Sequence, residues 1–190
     1  MANRIHVLGV AGSLRAGSFN KGLLRAAAEL VPEGMTLEVF DIAPIPLYNE
    51  DVELAGFPAS VKAFRERIAA ADALLIATPE YNYSIPGVLK NALDWASRSP
   101  EPPLVKKPVA IMGGSNGGFG TVRSQHHLRQ VLVTLNTRPI QKPEVMVSLV
   151  QNKIDAAGRL TDEKTREAIR GLLAALAAWV EQLRSTRPTT

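Results

Sequence analysis

The chain contains 190 residues, of which 46% are hydrophobic and 21% are charged, and its formal net charge is +4. This balance is typical of a single folded domain and argues against a disordered polypeptide. The chain has no cysteine, which excludes disulfides, a thiol nucleophile, cysteine-bound zinc and iron–sulfur clusters. Basic and acidic residues are interspersed, so we expect a mildly basic surface and no nucleic-acid partner.

The N-terminal segment opens with an apolar run at residues 5–10. This run is too short and too interrupted for a signal peptide. No apolar stretch approaches the roughly 18 residues needed to cross a bilayer. We therefore expect a cytoplasmic protein with no membrane partner.

Strand-like and helix-like patterns alternate along the chain. Runs rich in Val, Ile and Leu predict strands at residues 5–10, 36–40, 73–78, 108–113 and 144–149. Apolar residues at helical spacing predict helices after the first, second and fourth strands, and a final helix at residues 162–184. Pro86 suits the first turn of a helix after the third strand. Regular alternation of this kind is typical of a doubly wound α/β domain. We expect one domain over residues 1–190, with a loose tail at 185–190.

The first predicted loop, residues 12–20, leads from the first strand directly into a helix. Four side-chain donors that suit a phosphate lie within it: Ser13, Arg15, Ser18 and Asn20. Gly12 and Gly17 have the spacing of an ATP-binding P-loop, but Ser18 and Phe19 replace its lysine and Ser/Thr. The loop also lacks the Gly-x-Gly-x-x-Gly pattern of dinucleotide sites. A simple helix cap is the alternative, although a cap needs fewer donors.

Two further polar loops follow the third and fourth predicted strands. In residues 78–87, Tyr81 and Tyr83 offer flat surfaces to an aromatic ring, unless they only pack the loop down. Residues 113–120 include five glycines, which allow a ligand to approach the backbone, although a flexible turn has the same composition. All three loops are expected at the carboxyl edge of a parallel sheet. One loop that suits a phosphate, beside two that suit a flat polar ring, predicts a mononucleotide site.

Two motifs resemble those of the NADPH-dependent FMN reductase family. The first is Gly-Ser-Leu-Arg-x-x-Ser-x-Asn at residues 12–20. The second is Pro-Glu-Tyr-Asn-x-Ser-x-Pro-Gly-x-Leu-Lys-Asn-Ala-x-Asp-Trp at residues 79–95. The resemblance implies a flavodoxin-like three-layer fold, with a five-stranded parallel sheet in the order 2-1-3-4-5 and helices on both faces. It also implies a homodimer or homotetramer, and Trp95 fits either that interface or the core.

The resemblance assigns site residues as well. The FMN phosphate would be held by Ser13, Arg15, Ser18, Phe19 and Asn20. The ring and ribityl chain would lie along Pro79, Glu80, Tyr81 and Asn82. Ser115, Gly117 and Gly118 would contact the other edge of the ring. Tyr83 and Ser84 would bind the substrate.

The implied reaction passes a hydride from NADPH or NADH to FMN, and then reduces a small-molecule acceptor. It needs no acid–base side chain, so no residue is assigned a catalytic role. The chain's histidines, His6, His126 and His127, do not converge as metal ligands would, and we expect no metal site.

Three functions remain open at this point. The first is a reductase that retains FMN and reduces a quinone, an azo compound or chromate. The second is a flavin reductase that supplies free reduced FMN to a monooxygenase. The third is an electron carrier like flavodoxin. Flavodoxins tend to be strongly acidic, so the net charge of +4 argues against the carrier.

Overall fold

The computed structural model describes residues 4–186, as a parallel sheet with helices on both faces. The strands are β1 (Ile5–Ala11), β2 (Met35–Phe40), β3 (Ala73–Ala77), β4 (Pro108–Gly114), β5 (Arg138–Pro139) and β6 (Val145–Val147). The helices are α1 (Phe19–Glu29), α2 (Glu50–Leu54), α3 (Ala59–Ala70), α4 (Gly87–Ala96), α5 (Val122–Thr134) and α6 (Glu163–Ser185), with a short 3₁₀ turn at Val150–Asn152.

The strand order β2-β1-β3-β4-β5 confirms the predicted topology, and every pair is parallel. The strand number differs from the expected five, because two short strands share the edge beside β4. β5 pairs with the start of β4 and β6 pairs with its end. The sequence predicted only the second of these. β5 has two residues and one is Pro139, which has no N–H for the ladder, so it does not stand out as an apolar run.

Apolar side chains cover both faces of the sheet. One layer of core side chains lies under α1 and α6, and the other lies under α3, α4 and α5. Adjacent residues of β1 enter opposite layers: Val7 packs in the first and Leu8 in the second. Trp95 is fully buried in the second layer and donates its indole N–H to the Pro46 carbonyl at 2.9 Å. Trp95 is therefore a core residue.

The C-terminal helix extends further than the sequence predicted. Ser185 is the last residue of α6 and Thr186 is its C-cap, so the expected tail at residues 185–190 begins inside an ordered element. Residues 187–190 lie outside the described part of the chain. Between residues 4 and 186, no helix combines the length and the hydropathy needed to span a bilayer.

Arg65 on α3 supports the C-terminal end of α4. Its guanidinium donates to the carbonyls of Arg98 and Pro100, both at 2.7 Å, next to the partial negative charge of the helix end. We expect Arg65→Met to lower the free energy of unfolding by about 2 kcal/mol, because hydrogen bonds from a charged donor are lost. Urea denaturation measures this. Lys62→Met, at an exposed position of the same helix, is the control; an equal loss in both variants would contradict the assignment.

Candidate cofactor site

Three loops meet at the carboxyl edge of the sheet. They are loop one (residues 12–18, after β1), loop two (78–86, after β3) and loop three (115–121, after β4). Gly12 lies so close to loop two that a Cβ there would come within 3.3 Å of Pro79 Cδ. Asn20, just after loop one, is hydrogen-bonded to Gly114, just before loop three. The loops that the sequence singled out therefore form one continuous surface.

Loop one presents donors that have no protein acceptor. The backbone N–H groups of residues 13–17, and of Phe19 and Asn20, donate to no atom within residues 4–186. Ser13 is only 3% exposed, and its hydroxyl has no hydrogen-bond partner in the same range. Ser18 caps α1, accepting from the Lys21 N–H at 3.4 Å. A hydroxyl without a protein partner, on a residue that is otherwise buried and beside free N–H groups at a helix N-terminus, fits a phosphate.

Arg15 adds a positive charge to this loop. Its side chain is exposed, and its Cζ lies 5.1 Å from the centre of the Phe19 ring. Beside it is a cavity of about 500 Å³ between loop one and residues 154–158, with Arg25 on its wall. Arg25 donates to the Gly158 carbonyl at 2.8 Å, which fixes this far wall. Sequence reasoning missed Arg25 and this segment, because neither belongs to a strand-end loop.

The cavity wall also carries a carboxylate, Asp155. The Arg159 backbone N–H lowers the pKa of Asp155, and the Arg159 guanidinium, at 2.9 Å, lowers it further. The negative charge of Asp155 is thus paired with Arg159. The cations Arg15 and Arg25 face the rest of the cavity.

Asn20 has a positioning role in the structure. Its Nδ2 donates to the Gly114 carbonyl at 3.0 Å, and its Oδ1 accepts from the Gly114 N–H at 2.9 Å. The side chain is 3% exposed. Asn20 therefore ties the start of α1 to the end of β4, which fixes the distance between loops one and three.

Glu80 in loop two supports α5. Its Oε2 accepts from the backbone N–H groups of Arg123 and Ser124 at 3.0 and 3.2 Å, and its Oε1 accepts from the Arg123 guanidinium at 2.6 Å. Thr121, the N-cap residue of α5, makes no side-chain capping bond. The Glu80 carboxylate takes over that function, so it is a positioning group between loop two and α5.

Residues 81–84 of loop two form a tight two-residue turn. The N–H of Tyr81 donates to the Ser84 carbonyl and the N–H of Ser84 donates to the Tyr81 carbonyl, both at 3.0 Å. Asn82 and Tyr83 between them have φ angles of 50° and 65°, in the left-handed region. Tyr81 is 51% exposed and Tyr83 is 65% exposed. Both tyrosine residues are therefore largely exposed to solvent.

Loop three combines a rigid base with an open tip. Gly113, at its base, has no room for a side chain, because a Cβ would collide with the Thr78 carbonyl oxygen and the Thr121 hydroxyl. The Ser115 hydroxyl donates to the Gly120 carbonyl, so it serves the loop itself. At the tip, Gly118 has no atom within 4 Å of its Cβ position. The N–H groups of residues 116–119 donate to no acceptor within the described chain.

Unpartnered N–H groups in loops one and three, at the carboxyl edge of a sheet of this order, are typical of a flavodoxin-like, mononucleotide-binding protein. The chain belongs to the NADPH-dependent FMN reductase family, whose model matches residues 5–152. The predicted enzyme class and the predicted cofactor, FMN with NADPH or NADH as reductant, are thereby confirmed.

Individual relatives agree with this assignment over nearly the whole chain. An NAD(P)H-dependent FMN reductase of Pseudomonas aeruginosa is 60% identical over 97% of this chain and 100% of its own length. A quinone reductase of Escherichia coli is 44% identical, also over 97% of this chain and 100% of its own length. The solved structure of FerB, a flavoenzyme NAD(P)H:(acceptor) oxidoreductase of Paracoccus denitrificans, has a TM-score of 0.85 and 35% identity, covering 94% of this chain and 98% of FerB.

Proposed function

We propose that this protein retains FMN and uses NADPH or NADH to reduce quinones. The observation that carries the proposal is the site itself: unpartnered donors at loop one lie on the same edge as the open, tyrosine-bearing loop two. Similarity to quinone reductases supports the acceptor class; besides the Escherichia coli protein, a 2-hydroxy-1,4-benzoquinone reductase of Burkholderia is 45% identical over 97% of this chain. Nicotinamide as reductant suits a cytoplasmic site of action.

In this proposal, each loop has its own part in binding. Ser13, Arg15 and Ser18 hold the phosphate, together with the free N–H groups of loop one. The backbone of residues 79–82 lies along the ring, and the N–H groups near Gly117 and Gly118 donate to the polar edge of the ring, where they stabilise negative charge. When bound, FMN supplies the hydride and electron transfer chemistry. Tyr83 and Ser84 border the open face that a flat acceptor enters.

The test is the acceptor dependence of turnover. The purified protein is loaded with FMN, passed through a desalting column and mixed with NADPH, with and without 1,4-benzoquinone. We expect flavin to stay with the protein and NADPH oxidation to depend on the quinone. Loss of flavin on the column, with NADPH oxidation that depends on added free FMN, would contradict the proposal and favour the flavin-supplying reductase.

We also propose that the single-domain chain forms a homodimer or homotetramer through the surface beside α4. Leu47 and Leu54 are 83% and 81% exposed. The segment that carries Leu47 is fixed to α4, because the Asn91 amide donates to the Pro46 carbonyl at 2.8 Å. Two large exposed apolar side chains within one short segment of the chain are typical of an interface.

The double variant Leu47→Glu, Leu54→Glu is expected to be monomeric, because paired glutamates oppose burial of that surface. Light scattering after gel filtration measures the mass. Val105→Glu, at another exposed apolar position, serves as the control and keeps the wild-type mass. A monomeric wild type, or an oligomeric double variant, would contradict this interface.

A further inference from the structure

Arg123, on the first turn of α5, contacts both loops at the open side of the site. Its guanidinium lies 2.6 Å from Glu80 Oε1 and 3.8 Å, measured from Cζ, from the centre of the Tyr83 ring. The same Cζ lies 5.1 Å from the centre of the Phe119 ring in loop three. The side chain is 33% exposed. The Arg123 guanidinium thus pairs with the Glu80 carboxylate and also contacts one aromatic ring of loop two and one of loop three.

Tyr83 needs such support because of its backbone conformation. Its φ angle of 65° lies in the left-handed region, which is unfavourable for a bulky residue and accessible to glycine or asparagine. Tyr83 is 65% exposed, so burial in the core does not hold it. Within residues 4–186, the Tyr83 side chain makes no hydrogen bond, and its ring contacts the Arg123 guanidinium.

Neighbouring residues of α5 hold the two ends of loop two. The Ser124 hydroxyl donates to the Pro79 carbonyl at 2.9 Å, and the His127 ring nitrogen Nδ1 lies 3.1 Å from the Ser84 hydroxyl. Pro79 and Ser84 are thus held by α5, and Tyr83 between them contacts the same helix through the Arg123 guanidinium.

We propose that Arg123 is a positioning residue that holds Tyr83 at the open side of the site and so determines how well a planar acceptor binds. It acts through Tyr83 and does not touch the reacting atoms. The claim that Arg123 affects acceptor binding rests on the proposed function. The claim that Arg123 holds Tyr83 does not, so the two claims are tested separately.

Limited digestion of the apoprotein with chymotrypsin tests the contact between Arg123 and Tyr83 in the absence of cofactor and substrate. In Arg123→Gln apoprotein we expect cleavage after Tyr81 and Tyr83 to be about tenfold faster than in the wild type, because the turn opens more often. Arg123→Lys, which keeps the charge, gives an intermediate rate, and Arg170→Gln, on exposed α6 surface, gives the wild-type rate. Unchanged cleavage at Tyr81 and Tyr83 overturns the proposal. So does equally accelerated cleavage at the buried Phe64, because Arg123 would then support the whole fold.

A double-mutant cycle tests whether Arg123 affects acceptor binding through Tyr83. With NADPH and 1,4-benzoquinone, we expect Arg123→Gln to raise the KM for quinone about fivefold and to change kcat less. In a Tyr83→Gly background, where the ring and the backbone strain are both absent, the same substitution is expected to change this KM less than about twofold. Equal effects in the two backgrounds overturn the positioning role. A wild type without quinone activity refutes the proposed function, and the chymotrypsin pattern still decides whether Arg123 holds Tyr83.

Discussion

Replacing Arg15 by alanine is expected to lower the affinity for FMN by about 10- to 100-fold, the equivalent of one charge-assisted contact to a phosphate. The folded state should lose less than about 1 kcal/mol, because the Arg15 side chain is exposed, makes no hydrogen bond within residues 4–186 and contacts only the Phe19 ring there. Quenching of flavin fluorescence during titration of the apoprotein measures the affinity. The difference between variant and wild type should shrink at high salt, since the lost contact is ionic and partly screened.

Two further variants define what the Arg15 result means. Arg170→Ala removes one positive charge from exposed surface of α6 and should leave the FMN affinity unchanged. Ser13→Ala removes a hydroxyl that has no protein partner in the described chain, and should weaken FMN binding without lowering the melting temperature. If Arg15→Ala binds FMN as tightly as the wild type does, the phosphate does not lie at loop one.

Gly113→Ala is expected to lower the free energy of unfolding by about 3 kcal/mol or more, and FMN binding is lost with the fold. The new Cβ would collide with the Thr78 carbonyl oxygen and the Thr121 hydroxyl. Thr78 and Thr121 are fully buried, so neither can move aside without disturbing β3 or the start of α5. Urea denaturation followed by circular dichroism measures the change.

Gly118→Ala is the matched control at the tip of the same loop. A Cβ at Gly118 meets no atom within 4 Å, so the free energy of unfolding should stay at the wild-type value. We expect FMN binding to weaken, because the added methyl group occupies space at the proposed edge of the ring. Equal destabilisation in the two glycine variants would contradict the claim that contact with Thr78 and Thr121 is what excludes a side chain at position 113.

The fold was largely predictable because its central strands are buried on both faces. β3 is buried at every position and β4 is too, which leaves a continuous apolar run in the sequence. The elements that the sequence missed lack this pattern. α2 has five residues and buries none of them, and β5 contains two residues, one of them Pro139. Such elements depend on their neighbours and leave no periodic pattern in the chain.

The sequence predicted the three loops that meet at one edge of the sheet, whereas it did not predict the partners of individual side chains. Asn20 and Glu80 were both assigned to FMN, and the structure pairs them with Gly114 and Arg123. These partners lie 94 and 43 residues away in the chain, and local sequence contains no information on such pairs. Arg123 was missed for the same reason, since it follows a glycine-rich loop and reaches loop two only in the folded protein.

The most direct test of the account is an anaerobic titration with NADPH of the protein reconstituted with FMN. We predict that FMN remains bound through gel filtration, that about one equivalent of NADPH bleaches the visible flavin band, and that 1,4-benzoquinone restores it. A protein that does not retain FMN, or a bound flavin band that NADPH leaves unchanged, would contradict the central claim that these three loops form the site of an FMN-dependent reductase.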